Sequence, residues 1–305
     1  MSEVTAADHV VVVLNPASGG AMDRPTFDKA MAEAGLAANV VETTDEDPGH
    51  GIASRALSDG ARVVVAVGGD GTVRACLDAL VGTEAALAIV PTGTGNLLAR
   101  NLDLPDDPAR ALGLVISGAR RTMDVGRANG EAFAVMAGSG LDALMIRDAN
   151  ATVKEHFGPV AYALSAVRHL RSDLVETRVR VDGEVVLDAR TAMVLIGNCG
   201  RLQAGVQVFP EARPDDGRLD VAALSPRSVL DWLRVGTAVL RRRPAPDRLV
   251  RRFSGKRIDV LTRRPRAWEL DGEDRPPTEL LRCEVVAGAL LVCGPPVEGH
   301  GLEES

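Results

Sequence analysis

The sequence predicts a two-domain protein of class α/β plus β, with an α/β domain in residues 1–124, a mostly antiparallel β domain in residues 125–295 and a tail in residues 296–305. Three observations lead to this prediction. A chain of 305 residues is longer than one hydrophobic core usually grows to hold. Strand-like and helix-like segments alternate before Arg121. After it, strand-like segments dominate. Alternation indicates a parallel sheet covered by helices in three layers, and consecutive strands indicate antiparallel pairing.

The first domain opens with a buried strand, because His9–Leu14 is an unbroken run rich in valine. Further apolar runs of strand length alternate with stretches of helical periodicity, which predicts parallel strands joined by right-handed crossovers. After the first strand, the predicted elements are a helix at Thr26–Ala34, a strand at Asn39–Thr44, a helix at Gly51–Ser58, a strand at Arg62–Val67, a helix at Val73–Val81, a strand at Ala86–Val90, and helices at Leu97–Asn101 and Pro105–Ser117.

Antiparallel pairing is expected in the second domain because turn signals separate its strands. Asp182-Gly183 and Ala287-Gly288 stand where two-residue hairpin turns would lie, since glycine accepts a positive φ. Two helices are expected, at Pro159–Leu170 and Val229–Arg242. The predicted strands are Ala132–Ala137, Glu176–Val181, Val185–Leu187, Thr191–Ile196, Leu219–Leu224, Arg257–Leu261, Arg266–Leu270, Leu281–Val286 and Ala289–Val292.

The composition indicates a cytoplasmic globular protein. Apolar residues make up 46% and charged residues 25% of the chain, as in ordinary soluble domains. No apolar run approaches the ~18 residues of a membrane span, and the first residues lack the pattern of a secretory leader. The four cysteines, which lie far apart, favour a reducing compartment over a disulfide framework.

The net charge of −7 conceals a basic segment. Residues 234–266 carry twelve Lys and Arg residues against Asp247 and Asp259. This excess indicates either an anionic partner or a solvated arginine-rich surface. Because aromatic residues make up only 3% of the chain, stacking on nucleic-acid bases is disfavoured, and a membrane surface is the better partner of the two.

The segment Gly68-Gly69-Asp70-Gly71-Thr72 joins a predicted buried strand to a predicted helix. Its glycines let backbone N–H groups approach phosphate oxygens, and the helix dipole favours negative charge at that point. An Asp in such a loop would repel a phosphate unless it holds Mg²⁺ or accepts a hydrogen bond from a hydroxyl group. The segment therefore predicts a phosphate site that uses Asp70, and a strand-to-helix turn capped by Asp70 is the alternative.

Two further loops follow strands of the same predicted sheet. Asn15–Gly20 (NPASGG) follows the first strand, and Pro91–Asn96 (PTGTGN) follows the fourth. Because the carboxyl ends of parallel strands meet at one edge of a sheet, the three loops together predict a nucleotide site. The glycine spacing does not match a dinucleotide fingerprint, a Walker A loop or a nucleophile elbow, and the five histidines lack metal-ligand spacing.

These loops resemble, in order and spacing, the nucleotide motifs of the diacylglycerol kinase and sphingosine kinase-like lipid kinases, especially their soluble bacterial members. The resemblance covers nearly the whole chain and includes Asp124-Val125-Gly126, Asp215–Asp220 and Asp271-Gly272-Glu273. It implies an NAD kinase-like N-terminal domain and a C-terminal β-sandwich. It also implies transfer of the γ-phosphoryl group of ATP to a lipid hydroxyl, with Mg²⁺, in the cleft between the domains.

The same resemblance implies roles for particular residues on the nucleotide side. Asp70 would serve the catalytic Mg²⁺ or the phosphates. Thr43, on the second strand, is an additional candidate for ATP binding. The other residues that would hold ATP are Asn15, Pro16, Ala17, Ser18, Gly19, Gly68, Gly69, Gly71, Thr72 and Thr94.

On the metal and acceptor side, the resemblance implies a structural Mg²⁺ and a catalytic base. Asp216 and the backbone carbonyls of Arg213 and Arg218 would hold the ion, and Asp124 would join its water network. Asp271 or Glu273 would take the proton of the lipid hydroxyl, and the choice between them stays open. By composition alone, Asp215-Asp216-Gly217 and Asp271-Gly272 are equally compatible with plain turns.

Some positions depart from the family pattern. Gly20 stands where a basic residue is usual, and Ala75 and Asp78 stand where the helix usually carries Glu and Asn. These departures motivate one alternative, a nucleotide-binding regulator that has lost turnover. An NAD kinase-like phosphotransferase with a soluble acceptor is the alternative among enzymes.

The expected partner is a lipid substrate at an anionic membrane surface, bound transiently at the inner face. Nucleic acid is not expected, and monomer and homodimer both stay open. The helix at Val229–Arg242 places Val229, Trp232, Leu233, Gly236 and Leu240 on one face. We expect that apolar stripe to pack in the core and the arginines that follow it to contact the membrane.

Overall fold

A computed structural model describes residues 9–18, 24–140, 174–201, 207–241 and 246–295. The chain divides into two compact units: residues 1–123 together with those from Gly288 onward, and residues 124–287. The sequence-based division assigned all of 125–295 to the second domain. The residues from Gly288 group with the first unit because Leu291 and Val292 pair in parallel with Ala86 and Leu87.

The first unit is built on a five-stranded parallel sheet. Its strands are β1 (Val10–Leu14), β2 (Asn39–Glu42), β3 (Val63–Gly68), β4 (Ala86–Pro91) and the end of β14 (Glu273–Gly294). Their order in the sheet is β14-β4-β3-β1-β2, and neighbouring strands pair in parallel. The strands β1, β3 and β4 are buried throughout, as the sequence pattern predicts for strands covered on both faces. The edge strand β2 has no buried residue.

Helices cover both faces of this sheet. On one face, Phe27 and Met31 of one helix and Leu112 and Val115 of another join the core formed by alternate strand residues such as Val65. On the opposite face, Gly49 lies against Val13 and Cys76. The helices are α1 (Arg24–Ala34), α2 (His50–Ser58), α3 (Asp70–Leu80), α4 (Leu97–Asn101) and α5 (Pro108–Ser117). The predicted three-layer α/β domain is confirmed.

The second unit is made of antiparallel strands. They are β5 (Ala119–Ala128), β6 (Glu131–Phe133), β7 (Met136–Ser139), β8 (Val175–Val181), β9 (Glu184–Thr191), β10 (Met193–Gly197), β11 (Leu219–Leu224), β12 (Val250–Gly255), β13 (Arg257–Leu270) and β14. The longest run of neighbouring strands is β12-β11-β10-β7-β13-β14, β8 pairs with β13 and β9, and β5 pairs with β6 and β14. Asp182-Gly183 forms the predicted β8–β9 turn, with φ of 51° and 91°.

Several strand predictions were wrong in detail. The predicted strand Ala132–Ala137 is interrupted between β6 and β7, because the backbone N–H groups of Ala134 and Val135 bind the Asp271 side chain. Arg257–Leu261 and Arg266–Leu270 are one strand with register shifts between them. Ala287-Gly288 is no hairpin, since β14 continues through it although Gly288 has a φ of 58°. β5 and β12 were not predicted.

One helix is described in the second unit, α6 (Val229–Leu240). The expectation that its apolar stripe packs in the core was wrong for Leu233, which is 42% exposed beside Leu230 at 54%. The predicted helix at Pro159–Leu170 lies outside the described residues. Among those described, no helix combines the length and the apolar character that a bilayer crossing requires.

Candidate nucleotide and acceptor site

The loops after β1, β3 and β4 are joined by side-chain hydrogen bonds at one edge of the parallel sheet. The side-chain amide of Asn15 donates to Thr72 Oγ1 at 3.0 Å. The hydroxyl oxygens of Ser18 and Thr92 are 2.6 Å apart, and both side chains are buried. The structure therefore brings together the three loops that the sequence analysis singled out.

Two glycines allow the second and third loops to touch. A Cβ on Gly93 would lie 2.5 Å from the Cα of Gly69 and 2.9 Å from the side-chain oxygen of Asn96. A Cβ on Gly69 would lie 3.4 Å from the Cα of Gly93. Because these neighbours include backbone, larger residues would push the loops apart. The glycines are needed here for loop contact as well as for an open backbone.

Asp70 links the second loop to the third. It is the first residue of α3, and its Oδ1 accepts a hydrogen bond from the backbone N–H of Leu97, at the start of α4, at 2.6 Å. Burial raises the pKa of the Asp70 carboxyl, while the N–H groups of Leu97 and Asn96 and the charge of Arg100 act in the opposite direction. Asp70 therefore holds the site together and also carries a carboxylate suited to a cation or a hydroxyl group.

The site presents backbone donors toward an anion. The first N–H groups of an α-helix have no partner within the helix, and the helix dipole adds partial positive charge there. In α3 these groups belong to Asp70, Gly71 and Thr72, and Gly71 is exposed. The other predicted ATP contacts vary in exposure: Pro16, Ala17 and Thr94 are exposed, Asn15 and Thr43 are half-buried, and Gly19 lies outside the described residues.

In the second unit, Asp124 binds the turn that carries Asp216. Asp124 Oδ2 accepts from the N–H of Gly217 at 2.6 Å, and the N–H of Asp124 donates to the carbonyl of Pro214 at 2.7 Å. Asp216 Oδ1 accepts from the N–H of Arg218 at 2.9 Å. Asp124 and Asp216 therefore both bind the backbone of the same turn.

The donor set at this turn fits a hard cation. Carboxylate and carbonyl oxygens are the ligands that Mg²⁺ prefers. Burial, together with the negative charge of Asp216, raises the pKa of Asp220, and the charge of Glu211 acts in the same direction. Mutual repulsion among acidic groups of this kind is what a bound cation would relieve. No cluster of three or more acidic, His or Cys ligands occurs among the described residues, so backbone carbonyls would have to contribute.

Asp271 is fully engaged by the protein itself. Its Oδ1 accepts from the N–H groups of Val135 at 2.9 Å and Met136 at 2.8 Å, and its Oδ2 accepts from the N–H of Ala134 at 2.9 Å. It also occupies the first position of the β13–β14 turn, with a φ of 46°. Three amide donors on one carboxylate make Asp271 an anchor of the hairpin.

Glu273 has a more open carboxylate than Asp271. Its side chain is 43% exposed, and its Oε2 lies 3.4 Å from a guanidinium nitrogen of Arg275, which also pairs with Glu131 at 2.8 Å. A carboxylate with free access to solvent can accept a proton from a substrate, whereas one saturated by backbone donors is badly placed to do so. Of the two carboxylates that the sequence analysis named as candidates for the base, Glu273 is therefore the more accessible.

Two buried polar side chains near these groups were missed by the sequence analysis. Asn198, 1% exposed, donates to the carbonyls of Asp124 and Ala134, both at 2.8 Å. Glu269, 2% exposed, lies two residues before Asp271 on β13. A polar residue inside a strand-like run was the signal available for Glu269. Asn198 follows a predicted strand, where Asn is common in turns, so the sequence carried no signal for a special role.

Comparison with family models accounts for most of the chain. Residues 9–128 match the diacylglycerol kinase catalytic domain, and residues 135–294 match the YegS C-terminal NAD kinase beta sandwich-like domain. The second match supports the β-sandwich class expected for the second unit.

Named relatives agree with these models. A protein of Pseudomonas aeruginosa called "probable lipid kinase YegS-like" is 33% identical over 71% of this chain and 72% of its own length. A diacylglycerol kinase of Bacillus subtilis is 29% identical over 86% of this chain and 88% of its own. A diacylglycerol kinase of Mycobacterium tuberculosis is 30% identical over 74% and 76%.

Solved structures show the same fold. A diacylglycerol kinase of Bacillus anthracis matches with a TM-score of 0.74 at 20% identity, over 96% of this chain and 99% of that one. An NAD kinase of Archaeoglobus fulgidus in complex with ATP matches with a TM-score of 0.52 at 12% identity, over 93% of both chains.

Proposed function

Because this chain belongs to the diacylglycerol kinase catalytic domain family, we propose that it transfers the γ-phosphoryl group of ATP to the hydroxyl group of a lipid such as diacylglycerol. The observation that carries the proposal is the joining of three glycine-rich loops at one sheet edge through Asn15, Thr72, Ser18 and Thr92. Membership in a kinase family makes phosphotransfer the reaction class; the lipid acceptor is the proposed part.

On the nucleotide side, the proposal assigns the phosphates of ATP to the exposed backbone at the start of α3. The N–H groups of Gly71 and Thr72 would bind phosphate oxygens, and Asp70 would face the cation that accompanies ATP. The hydrogen bond from Leu97 keeps that carboxylate in place. Thr94, exposed on the third loop, would provide a further hydroxyl group.

In the second unit, we assign Mg²⁺ to the turn at 213–218. Asp216, the carbonyls of Arg213 and Arg218, and Asp124 through water would hold it. When bound, the ion supplies positive charge that offsets the acidic groups of this turn. Its proposed role is structural, since Asp124 and Asn198 connect the turn to the backbone that anchors Asp271.

On the acceptor side, Glu273 would take the proton of the lipid hydroxyl group. As that O–H bond breaks, the hydroxyl oxygen forms a bond to the γ-phosphorus, the bond from this phosphorus to the bridging oxygen of ADP breaks, and ADP leaves with the electron pair. Asp271 would hold the hairpin that presents Glu273, through its three backbone donors.

A lipid acceptor requires access to a bilayer, and the exposed face of α6 supports such access. Leu230 and Leu233 are two of the three exposed large apolar side chains among the described residues. Two exposed arginines follow these leucines at helical spacing: Arg234, which also pairs with Asp231 at 3.3 Å, and Arg241, one residue past the end of α6. Leucines that enter the interface and arginines that bind anionic headgroups make a peripheral, salt-sensitive membrane contact.

The function is tested by phosphate transfer from γ-³²P-ATP with Mg²⁺ to diacylglycerol, phosphatidylglycerol, a sphingoid base or a polyprenol in mixed micelles, with NAD as a soluble acceptor. We expect a labelled, chloroform-extractable product. Label on NAD would instead select the NAD kinase-like alternative. No transfer to any acceptor, together with thermal stabilisation by ATP, would select a nucleotide-binding regulator.

A further inference from the structure

Glu269 is a buried acid beside the hairpin that carries Glu273. It lies on β13 directly opposite Asp274 of β14, and the next pair toward the turn is Leu270 and Glu273. Its side chain is 2% exposed, and its Oε2 finds no hydrogen-bond partner among the described residues. A buried carboxylate oxygen without a donor is costly, so this arrangement calls for a physical explanation.

The charged groups described around Glu269 are acidic. Asp271 follows two residues later, in the turn after β13, and Asp274 faces Glu269 across the β13–β14 ladder. On its other side, β7 contributes Gly138, which carries no side chain. The guanidinium group of Arg275 is engaged elsewhere, by Glu131 and Glu273.

We propose that Glu269 positions the Asp271–Glu273 hairpin as an uncharged carboxyl group, and that its ionisation at alkaline pH displaces Glu273 and stops turnover. The proposal rests on the proposed kinase function only for its effect on turnover. Like charges directly opposite on a ladder destabilise the pairing. An ionised Glu269 would repel Asp274 one residue pair away from Glu273, whereas a protonated one would not.

The pKa of Glu269 supports an uncharged carboxyl group in the native state. Burial raises its pKa to about 8, and the negative charges of Asp271 and Asp274 act in the same direction. In the unfolded chain the group ionises near the ordinary 4.5. Between these two values the native state holds a proton that the unfolded state has lost, so the stability of the native state falls as pH rises through this window.

The test compares the wild-type protein with Glu269→Gln, which keeps the shape of the neutral acid but cannot ionise. Melting temperatures and rates of transfer to diacylglycerol are measured from about pH 5 to pH 9. The wild type should lose melting temperature relative to Glu269→Gln as pH rises. Its transfer rate should fall by about tenfold per pH unit above about pH 8, while that of Glu269→Gln stays level. Glu279→Gln, an exposed acid on β14, is the control and should behave like the wild type.

Parallel pH curves for wild type and Glu269→Gln would overturn the proposal. A loss of more than tenfold in Glu269→Gln at pH 7 would also overturn it, because the carboxyl group itself would then be needed. Wild-type protein without transfer at any pH would overturn the kinase function and the positioning role together. In that case the melting curves would still decide separately whether Glu269 is uncharged in the native state.

Discussion

Asn198 donates its side-chain amide to the backbone carbonyl of Asp124 at 2.8 Å, and the same amide reaches the carbonyl of Ala134 at 2.8 Å. Asp124 binds the turn that carries Asp216, and Ala134 is the first of the residues that bind the carboxylate of Asp271. One buried amide therefore connects the turn assigned to Mg²⁺ with the hairpin assigned to the acceptor.

Replacing Asn198 by Ala should destabilise the second unit. The substitution removes a donor from each of two carbonyls, although that of Ala134 keeps the thiol of Cys199 at 3.4 Å. At about 1–3 kcal/mol for a lost donor, the free energy of unfolding should fall by about 1–4 kcal/mol. Urea denaturation measures this change. Asn101→Ala, which removes a half-buried amide from the end of α4, is the control. Equal losses of unfolding free energy in the two variants would show that Asn198 stabilises the fold no more than an ordinary half-buried amide does.

Asp271 and Glu273 should respond differently to removal of their charge. Asp271→Asn has a single carbonyl oxygen for three N–H donors, so it should lose about 2 kcal/mol or more of stability and, with the hairpin, its activity. Glu273→Gln should retain the wild-type melting temperature and lose at least about a hundredfold in transfer rate, because a general base is removed. An active Glu273→Gln would return the role of base to Asp271.

Gly93 should tolerate no side chain. In Gly93→Ala the new Cβ would meet the Gly69 backbone at 2.5 Å, which separates the second and third loops. Thermal melting should show lower stability, and ATP titration should show an affinity reduced by about tenfold or more. Gly113→Ala in α5 is the matched control, since nothing lies within 4 Å of its Cβ. Its melting temperature should stay level or rise, because alanine favours helix.

The turn at 213–218 should bind Mg²⁺ in a way that depends on Asp216. Adding Mg²⁺ should raise the melting temperature of the wild type, since a ligand that binds only the native state stabilises it. Asp216→Ala should lose this response. Asp215→Ala, an exposed neighbour that pairs with Arg213 at 3.4 Å, should keep it. If Mg²⁺ does not change the melting temperature of the wild type, the proposed metal site is wrong.

The exposed leucines of α6 should contribute to membrane binding. Leu230→Ser with Leu233→Ser should weaken sedimentation with anionic vesicles by about tenfold while leaving the melting temperature unchanged, because neither side chain is in the core. Val185→Ser, at a position 52% exposed on β9, controls for loss of apolar surface elsewhere. Unchanged binding in the leucine variant, or equal loss in the control, would place the membrane contact on another surface.

The order of the elements in the first unit was predictable because it follows from local pattern. Runs of valine such as Val63–Gly68 form strands buried on both faces, and helices start close to where periodicity placed them. The helix after the second loop starts at Asp70, three residues earlier than predicted, and Gly69 is its N-cap. In the second unit, long strands were split at polar positions that the structure accommodates as register shifts.

The sequence by itself determined the alternation of strands and helices, the loops at the strand ends and the turn at Asp182-Gly183, since each depends on residues close together in the chain. Only the tertiary structure decided which carboxylate is anchored and which is open. Asp271 is held by Ala134, which lies 137 positions away in the chain, and Glu269 is buried by strand pairing. Burial and hydrogen bonding of a carboxylate depend on what the fold brings to it from distant segments, and no local pattern records those neighbours.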